Sequence, residues 1–438
     1  MTWVGYWVRT SDLFGVNQAC DTVVQHSLAR HGPWECTIRR QSAPRLSLSC
    51  SADVRITDVT SASNVTAEAG NLAALAAVTA AVRDSAFPET QSDPGRVSST
   101  AVGIEGLAAR VDALIAEGQF SGVVRVDRAG DTVLARAAGW AHRAHQVPMT
   151  VDTRLAVASG SKGFTALVAL SLAADGTLPL TTRARELLGA DLPLVDDRVT
   201  VEQLLGHRSG IGDYLDEGAG YQIDDYVMAV PVHQLVDSDD YLKVLDGHPQ
   251  QSTPGERFAY NNAGFVLLAV LAERAAGIPF VDLVQQRVCA PANMADTAYL
   301  RSDALPERTA LGYLYVDGHR SNVLHLPVRG SGDGGAYTTV ADIHRMWQAL
   351  LNAAILDPAT LADAWRPRSD VPTEASRYGL GFWLHATGPG VMLEGYDAGV
   401  SFRTVHDPDT DTTHTVIANW SNGAWPVTRE LDQVLLGW

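Results

Sequence analysis

Along residues 104–115 apolar side chains recur with the spacing of one helical face: Ile104, Leu107, Ala108, Val111, Leu114 and Ile115. That spacing predicts an amphipathic helix. The period then shortens. Val123-Val124-Arg125-Val126 and Thr132-Val133-Leu134 flank Ala129-Gly130-Asp131, so two strands around a tight turn are expected. Residues 164–172 are apolar on nearly every face and stop at Ala174-Asp175-Gly176, the pattern of a buried helix ended by glycine. From about 180 to 365 helical and loop patterns alternate. Further strands are predicted at 380–384, 391–395 and 413–419, and an amphipathic helix at about 427–436. Early and late strands that bracket a mostly helical insert pair in one sheet, which predicts an α+β fold with an antiparallel β-sheet flanked by helices.

Residues 1–100 break this pattern and carry no motif. Arg39-Arg40-Gln41-Ser42-Ala43-Pro44-Arg45 reads as loop, 67–82 as an Ala-rich helix and 87–99 as a linker rich in Pro, Gly and Ser. The chain is therefore divided into an N-terminal extension, 1–100, read as an accessory domain or a disordered segment, and a main domain, 101–438.

A net charge of −17 argues against nucleic acid and anionic membrane surfaces as partners, because both recruit basic patches. No apolar run reaches the roughly 18 residues of a spanning helix, and the first residues lack a basic stretch followed by an apolar one. A cytoplasmic protein is expected. The four cysteines, Cys20, Cys36, Cys50 and Cys289, have no zinc-ligand spacing, so no metal is expected.

The chain has only two lysines against 31 arginines, and one of them follows a serine at Ser159-Gly160-Ser161-Lys162. Arginine stays protonated near neutrality and cannot act as a base, whereas lysine can. If Ser159 opens the buried helix, positions 159 and 162 share a face within hydrogen-bonding reach. Burial would disfavour the ammonium form of Lys162. Alone, the spacing is equally that of a helix cap beside a solvated lysine.

A second cluster lies at Tyr260-Asn261-Asn262. In an extended segment Tyr260 and Asn262 face the same way. A tyrosine hydroxyl beside a cationic lysine becomes a better proton acceptor, and an Asn amide can bridge lysine and substrate. The bland alternative is a packed ring followed by a helix cap at Asn262.

Together, Ser159-x-x-Lys162 and Tyr260-x-Asn262 resemble the serine β-lactamase, penicillin-binding protein and family VIII esterase superfamily. Leu204-Leu205-Gly206-His207-Arg208-Ser209-Gly210-Ile211, Ala290-Pro291-Ala292-Asn293-Met294-Ala295-Asp296-Thr297 and the Gly332-Asp333-Gly334-Gly335 turn resemble its secondary landmarks, in the same order, over about 103–438. The resemblance implies a cofactor-independent serine hydrolase in which Ser159 forms an acyl-enzyme, Lys162 and Tyr260 share the proton transfers, and Asn262 helps bind substrate. Backbone N–H groups of Ser159 and of a late strand would hold the oxyanion. With no Gly-x-Ser-x-Gly elbow and no P-loop ending, His207 and Gly332 to Gly335 are read as structural.

The family's third motif is a Lys or His that meets a substrate carboxylate. Here the stretch is Leu393-Glu394-Gly395-Tyr396-Asp397. Aligned without gaps, Leu393 takes the cation position and Gly395 the glycine; shifted, Tyr396 takes it, and neither supplies a cation. Losing a charge-assisted contact of about 1.5–3 kcal/mol weakens anionic substrates and leaves ester cleavage intact. The expectation is an esterase-like acyl hydrolase for a small ester or amide, with Glu394, Gly395 and Tyr396 at the substrate. Glu394 and Asp397 either hold a substrate amine or stay on the surface, with Glu394 met by Arg403. The alternatives are a β-lactamase or D-aminopeptidase-type amidase, and a non-hydrolytic acyl-binding sensor.

Overall fold

The computed structural model describes residues 34–41, 45–52, 104–215 and 223–437. Contacts divide the chain into two units, Met1–Ser98 and Ser99–Trp438. In the first, β1 (Trp34–Gln41) pairs antiparallel with β2 (Arg45–Ala52). Arg39 to Gln41 and Arg45 are therefore strand, not loop. The period-two alternation of Leu46, Leu48 and Cys50 with Ser47 and Ser49 carries the pairing out to the arginines. The helix expected at 67–82 and the linker at 87–99 lie outside the described residues.

The second unit opens with α1 (Ile104–Ala116), β3 (Gly122–Arg128) and β4 (Asp131–Ala138). Two small ladders follow: β5 (Trp140–His142) with β6 (Val147–Pro148), and β7 (Leu155–Ala156) with β8 (Tyr337–Thr338). After β7 comes the buried helix α2 (Ser161–Ala174), and then α3 (Ala184–Leu188), α4 (Val201–Leu205) and α5 (Ser238–Leu245). The long helix α6 (Asn262–Ala276), α7 (Phe280–Val284), α8 (Val340–Leu351) and α9 (Pro358–Ala364) complete the helical insert. The strands β9 (Ser369–Val371), β10 (Ser376–Tyr378), β11 (Trp383–His385), β12 (Val391–Asp397), β13 (Val400–Asp407) and β14 (Thr412–Ala418) lead to α10 (Trp425–Leu431).

The main sheet has eight strands in the order β4-β3-β14-β13-β12-β11-β10-β9, every neighbour antiparallel. The chain's early and late strands thus meet at β3 and β14, as the bracketing pattern requires. Alternation decides which helices cover which face. Val124, Val126, Val416 and Ala418 pack with Leu107 and Val111 of α1 and Val427 and Leu431 of α10, whereas Val123, Ile417, Leu393 and Phe402 join the cluster of α2, α6 and α8.

Two strand expectations are corrected. Residues 380–382 are a turn rather than strand, because Gly381 adopts φ +83° and an added Cβ there would lie 2.1 Å from Ala166 Cβ. β13 was not anticipated, since its Ser401, Thr404 and His406 interrupt the apolar alternation although all three are buried. Among the described residues no single helix is long and apolar enough to cross a membrane.

Candidate active site

Ser159 does not sit inside α2 but in the 3-10 turn Ala158–Gly160 that feeds it. Ala158 adopts φ +45°, a left-handed conformation that costs a non-glycine residue about 1 kcal/mol or more. Ser161 braces this strained turn: its Oγ donates to Ala158 O at 2.8 Å and accepts Ala336 N–H at 3.0 Å. The turn tips Ser159 out of the buried helix, leaving it partly exposed while Gly160 and Ser161 are buried.

Lys162, one position into α2 from that brace, is buried. Its Nζ donates to Ser159 Oγ at 2.9 Å, Asn262 Oδ1 at 2.7 Å and Asp333 O at 2.8 Å. Two of these acceptors, an amide and a main-chain carbonyl, do not exchange protons near neutrality; the third is the candidate nucleophile. The Tyr260 ring lies 5.0 Å from Nζ, so Ser159, Lys162, Tyr260 and Asn262 form one cluster.

Tyr260 and Asn262 both face Lys162 across Asn261, whose backbone is extended at φ −150° and ψ 116°, as the spacing predicts. Asn262 is already the first residue of α6, and the cap is Asn261, whose Oδ1 accepts Gly264 N–H at 2.6 Å. The Tyr260 ring lies between those of His207, 4.5 Å away, and Trp383, 6.1 Å away and nearly parallel. His207 is buried with φ +52°, accepts Asn261 N–H on Nδ1 at 3.1 Å and receives Ala259 N–H on its carbonyl at 2.8 Å. Burial, reinforced by the Lys162 charge, pushes its pKa well below the ordinary value, so the ring is neutral. It holds the Tyr260 segment in place, the structural role expected of it.

Asp213 and Tyr214 escaped sequence reasoning, and Asp333 entered it only as part of a glycine turn read as structural. Asp333 gives its carbonyl to Lys162, and its buried carboxylate accepts Tyr214 OH at 2.5 Å. Burial raises the Asp333 pKa against the opposing pull of Lys162. Asp213 accepts the N–H groups of Asn262 and Ala263 at 2.6 and 3.0 Å. The Asp213-Tyr214 pair two residues beyond the Leu204 to Ile211 landmark was the available signal.

β12 lies against the nucleophile turn. An added Cβ on Gly395 would lie 2.0 Å from Val157 O and 2.9 Å from Gly160 N, so only glycine permits this approach. Leu393, on the same face, packs on Gly163 of α2. Apolar packing therefore occupies the point at which the ungapped reading places the family's cation. Glu394 and Tyr396 point to the opposite face: Glu394 meets Arg403 at 3.4 Å, and the Tyr396 ring lies 6.2 Å from that of Trp425. Strand alternation directs the Glu394 side chain away from the face that Gly395 presents, and its ion pair is with Arg403, the partner offered as the alternative to a substrate amine. Beside the turn opens a cavity lined by Ala158, Tyr214, Tyr226, Asp333, Asp397 and apolar side chains such as Met228.

The Beta-lactamase family matches residues 107–437. Among curated proteins, Esterase EstB of Burkholderia gladioli is 33% identical over 310 residues, 63% of this chain and 78% of that protein. The D-aminopeptidase of Brucella anthropi is 28% identical over 330 residues, 72% of this chain. Penicillin-binding protein 4* of Bacillus subtilis is 28% identical over 281 residues, 61% of this chain. The matches span 60% of the length of that penicillin-binding protein and 59% of the D-aminopeptidase. The solved structure of a penicillin binding protein from Bacillus halodurans superposes with a TM-score of 0.70 at 32% identity, covering 74% of this chain and 100% of that one. With the fold, the order of motifs and the match over residues 107–437 in agreement, the chain belongs to the Beta-lactamase family and is by that membership a serine hydrolase.

Proposed function

We propose that the protein is an esterase-like acyl hydrolase for small ester or amide substrates, with Ser159 as nucleophile and Lys162 and Tyr260 as the proton-transfer pair. The observation that carries this is the Lys162 amine, buried and held against Ser159 Oγ by two acceptors that fix its other hydrogens. In its neutral form that amine takes the Ser159 proton as Oγ attacks the carbonyl. The tetrahedral oxyanion rests on the N–H groups of Ser159 and Tyr396, which the close approach at Gly395 brings near. Collapse expels the leaving group with a proton relayed through Tyr260 and Lys162, and water then attacks the acyl-enzyme by the same proton route. Asn262 orients both Lys162 and the substrate.

Substrate preference follows from the third motif. Leu393 gives a substrate carboxylate no partner, and among the described residues the cavity beside Ala158 is lined by Asp333 and Asp397 with no lysine or arginine. Both features favour neutral esters over anionic β-lactams, in keeping with the similarity to Esterase EstB. A second reading, amide substrates that carry an amine, draws on Asp397 at that cavity and on the similarity to the D-aminopeptidase. We also propose a cytoplasmic location, on the sequence reading alone; cell fractionation tests it.

A fluorophosphonate is expected to leave one adduct, on Ser159, detectable by peptide mass spectrometry, and p-nitrophenyl butyrate to be turned over. Ser159→Ala should abolish both, and Lys162→Arg should lower kcat at least about 100-fold, because arginine cannot release its proton. Absence of both adduct and turnover in the unmutated protein would instead support the acyl-binding sensor. Nitrocefin and D-alanine p-nitroanilide, assayed beside the ester, rank the substrate classes.

A further inference from the structure

Asp213 touches no reacting atom, yet the arrangement of Asn262 depends on it. Its Oδ2 accepts the Asn262 N–H at 2.6 Å, and Oδ1 accepts the N–H groups of Ala263 at 3.0 Å and Leu215 at 3.2 Å. Asn262 is thereby fastened twice. Its backbone is held by Asp213 directly, and its Nδ2 donates at 2.9 Å to the carbonyl of Leu215, the residue whose N–H Asp213 also binds. The remaining amide atom, Oδ1, is the one that receives Lys162 Nζ.

Capping alone does not require a charge here. Asn261 caps α6 at Gly264 N–H and Asp213 satisfies the first two N–H groups, a task that a neutral side chain also performs. Burial pushes the Asp213 pKa up to about 6, against the opposing pull of its three backbone N–H donors and of Lys162. A carboxyl with its folded-state pKa raised above the ordinary ~3.9 destabilises the fold when ionised; that cost is fully present above about pH 6 and disappears as pH falls toward 4. An anion kept beside a lysine at a cost in stability is characteristic of functional sites.

We propose that Asp213, as an anion, is a positioning residue for acyl transfer: it fixes the Asn262 amide and so the point at which Lys162 Nζ meets Ser159. The proposal rests on the roles given above to Ser159 and Lys162. Protonation of Asp213 turns one of its acceptor oxygens into a donor and loosens the first turn of α6. The charged and titratable groups facing it are Lys162 from α2, Asp333 from the 330–335 loop, Tyr214 from its own loop, and Tyr226. Asp333 is also raised by burial, so a variant of Asp213 itself is needed to assign an acid limb.

The experiment measures kcat and KM for p-nitrophenyl butyrate from pH 5 to 9 in the unmutated protein, Asp213→Asn and Asp213→Glu. Activity of the unmutated protein should fall below pH 6. Asp213→Asn should lower kcat at pH 8 about tenfold or more with KM little changed, as misplaced catalytic groups do, and should lose the acid limb; Asp213→Glu should restore part of both. An unaltered pH profile with kcat within twofold overturns the proposal. Crystal structures of the unmutated protein and Asp213→Asn at pH 8 need no turnover: the Lys162 Nζ–Asn262 Oδ1 separation should exceed about 3.5 Å in the variant. An unchanged contact overturns the proposal even if Ser159 proves unreactive, whereas a lengthened contact with no turnover in the unmutated protein refutes the hydrolase reading and leaves the positioning role standing.

Discussion

Gly395 brings β12 to the nucleophile turn with nothing between the two main chains. A methyl group there would meet Val157 O at 2.0 Å and Gly160 N at 2.9 Å, both backbone atoms that no rotamer change can move aside. Gly395→Ala should therefore displace the turn that carries Ser159, lowering kcat/KM for p-nitrophenyl butyrate about 100-fold, the range seen when a reacting group shifts by roughly 1 Å. A variant with unaltered kinetics and melting temperature would show that the strand yields at no cost. Gly395 was legible in the sequence because a motif surrounds it, as were Ser159, Lys162, Tyr260 and Asn262. Asp213 was not, and Asp333 was legible only as part of the glycine turn, without its role. They act through a helix terminus and a backbone carbonyl, and such contacts impose no spacing and little residue preference on the chain.

Helix α6 separates two neighbouring asparagines by function. Asn261 Oδ1 caps Gly264 N–H, and its Nδ2 donates to Ile211 O at 3.0 Å, so its bonds serve the fold. Asn262 Oδ1 meets Lys162. Asn261→Ala should cost about 1–2 kcal/mol, read as a lower urea midpoint at unchanged m value. Asn262→Ala should lower kcat by a larger factor than its loss of stability explains. Equal stability losses with equal kinetics would remove the distinction. Elements with one clear period, such as α1 and β3, were visible in the sequence. β13 was not, because its polar side chains are matched inside the core: Thr404 accepts from Trp347 Nε1 at 3.0 Å, and Ser401 donates to Trp420 O at 2.9 Å. Partners contributed by α8 and by the loop after β14 decide that a Ser or Thr can be buried, and a single strand's sequence does not display them.

At the scale of the molecule, charge and site point the same way. The net charge of −17 disfavours the approach of anions to the molecule as a whole. At the site, the described residues that line the cavity beside Ala158 include Asp333 and Asp397 and no lysine or arginine. Raising salt from 10 to 300 mM shortens the screening length from about 30 Å to about 6 Å and removes most of the long-range part. Three p-nitrophenyl esters of similar size separate the effects: a butyrate, a hemisuccinate with its free carboxylate, and a 4-aminobutyrate with its ammonium. kcat/KM should be flat with salt for the butyrate, rise for the hemisuccinate and fall for the aminobutyrate. Low-salt rates should run in the order aminobutyrate, butyrate, hemisuccinate. Salt acting alike on all three would mean that the field is not felt at Ser159, and a hemisuccinate rate that falls with salt would reveal a cation at the site. The size of the split that survives at 300 mM measures how far the missing third-motif cation, rather than the surface, sets the preference, because screening has by then removed the long-range contribution.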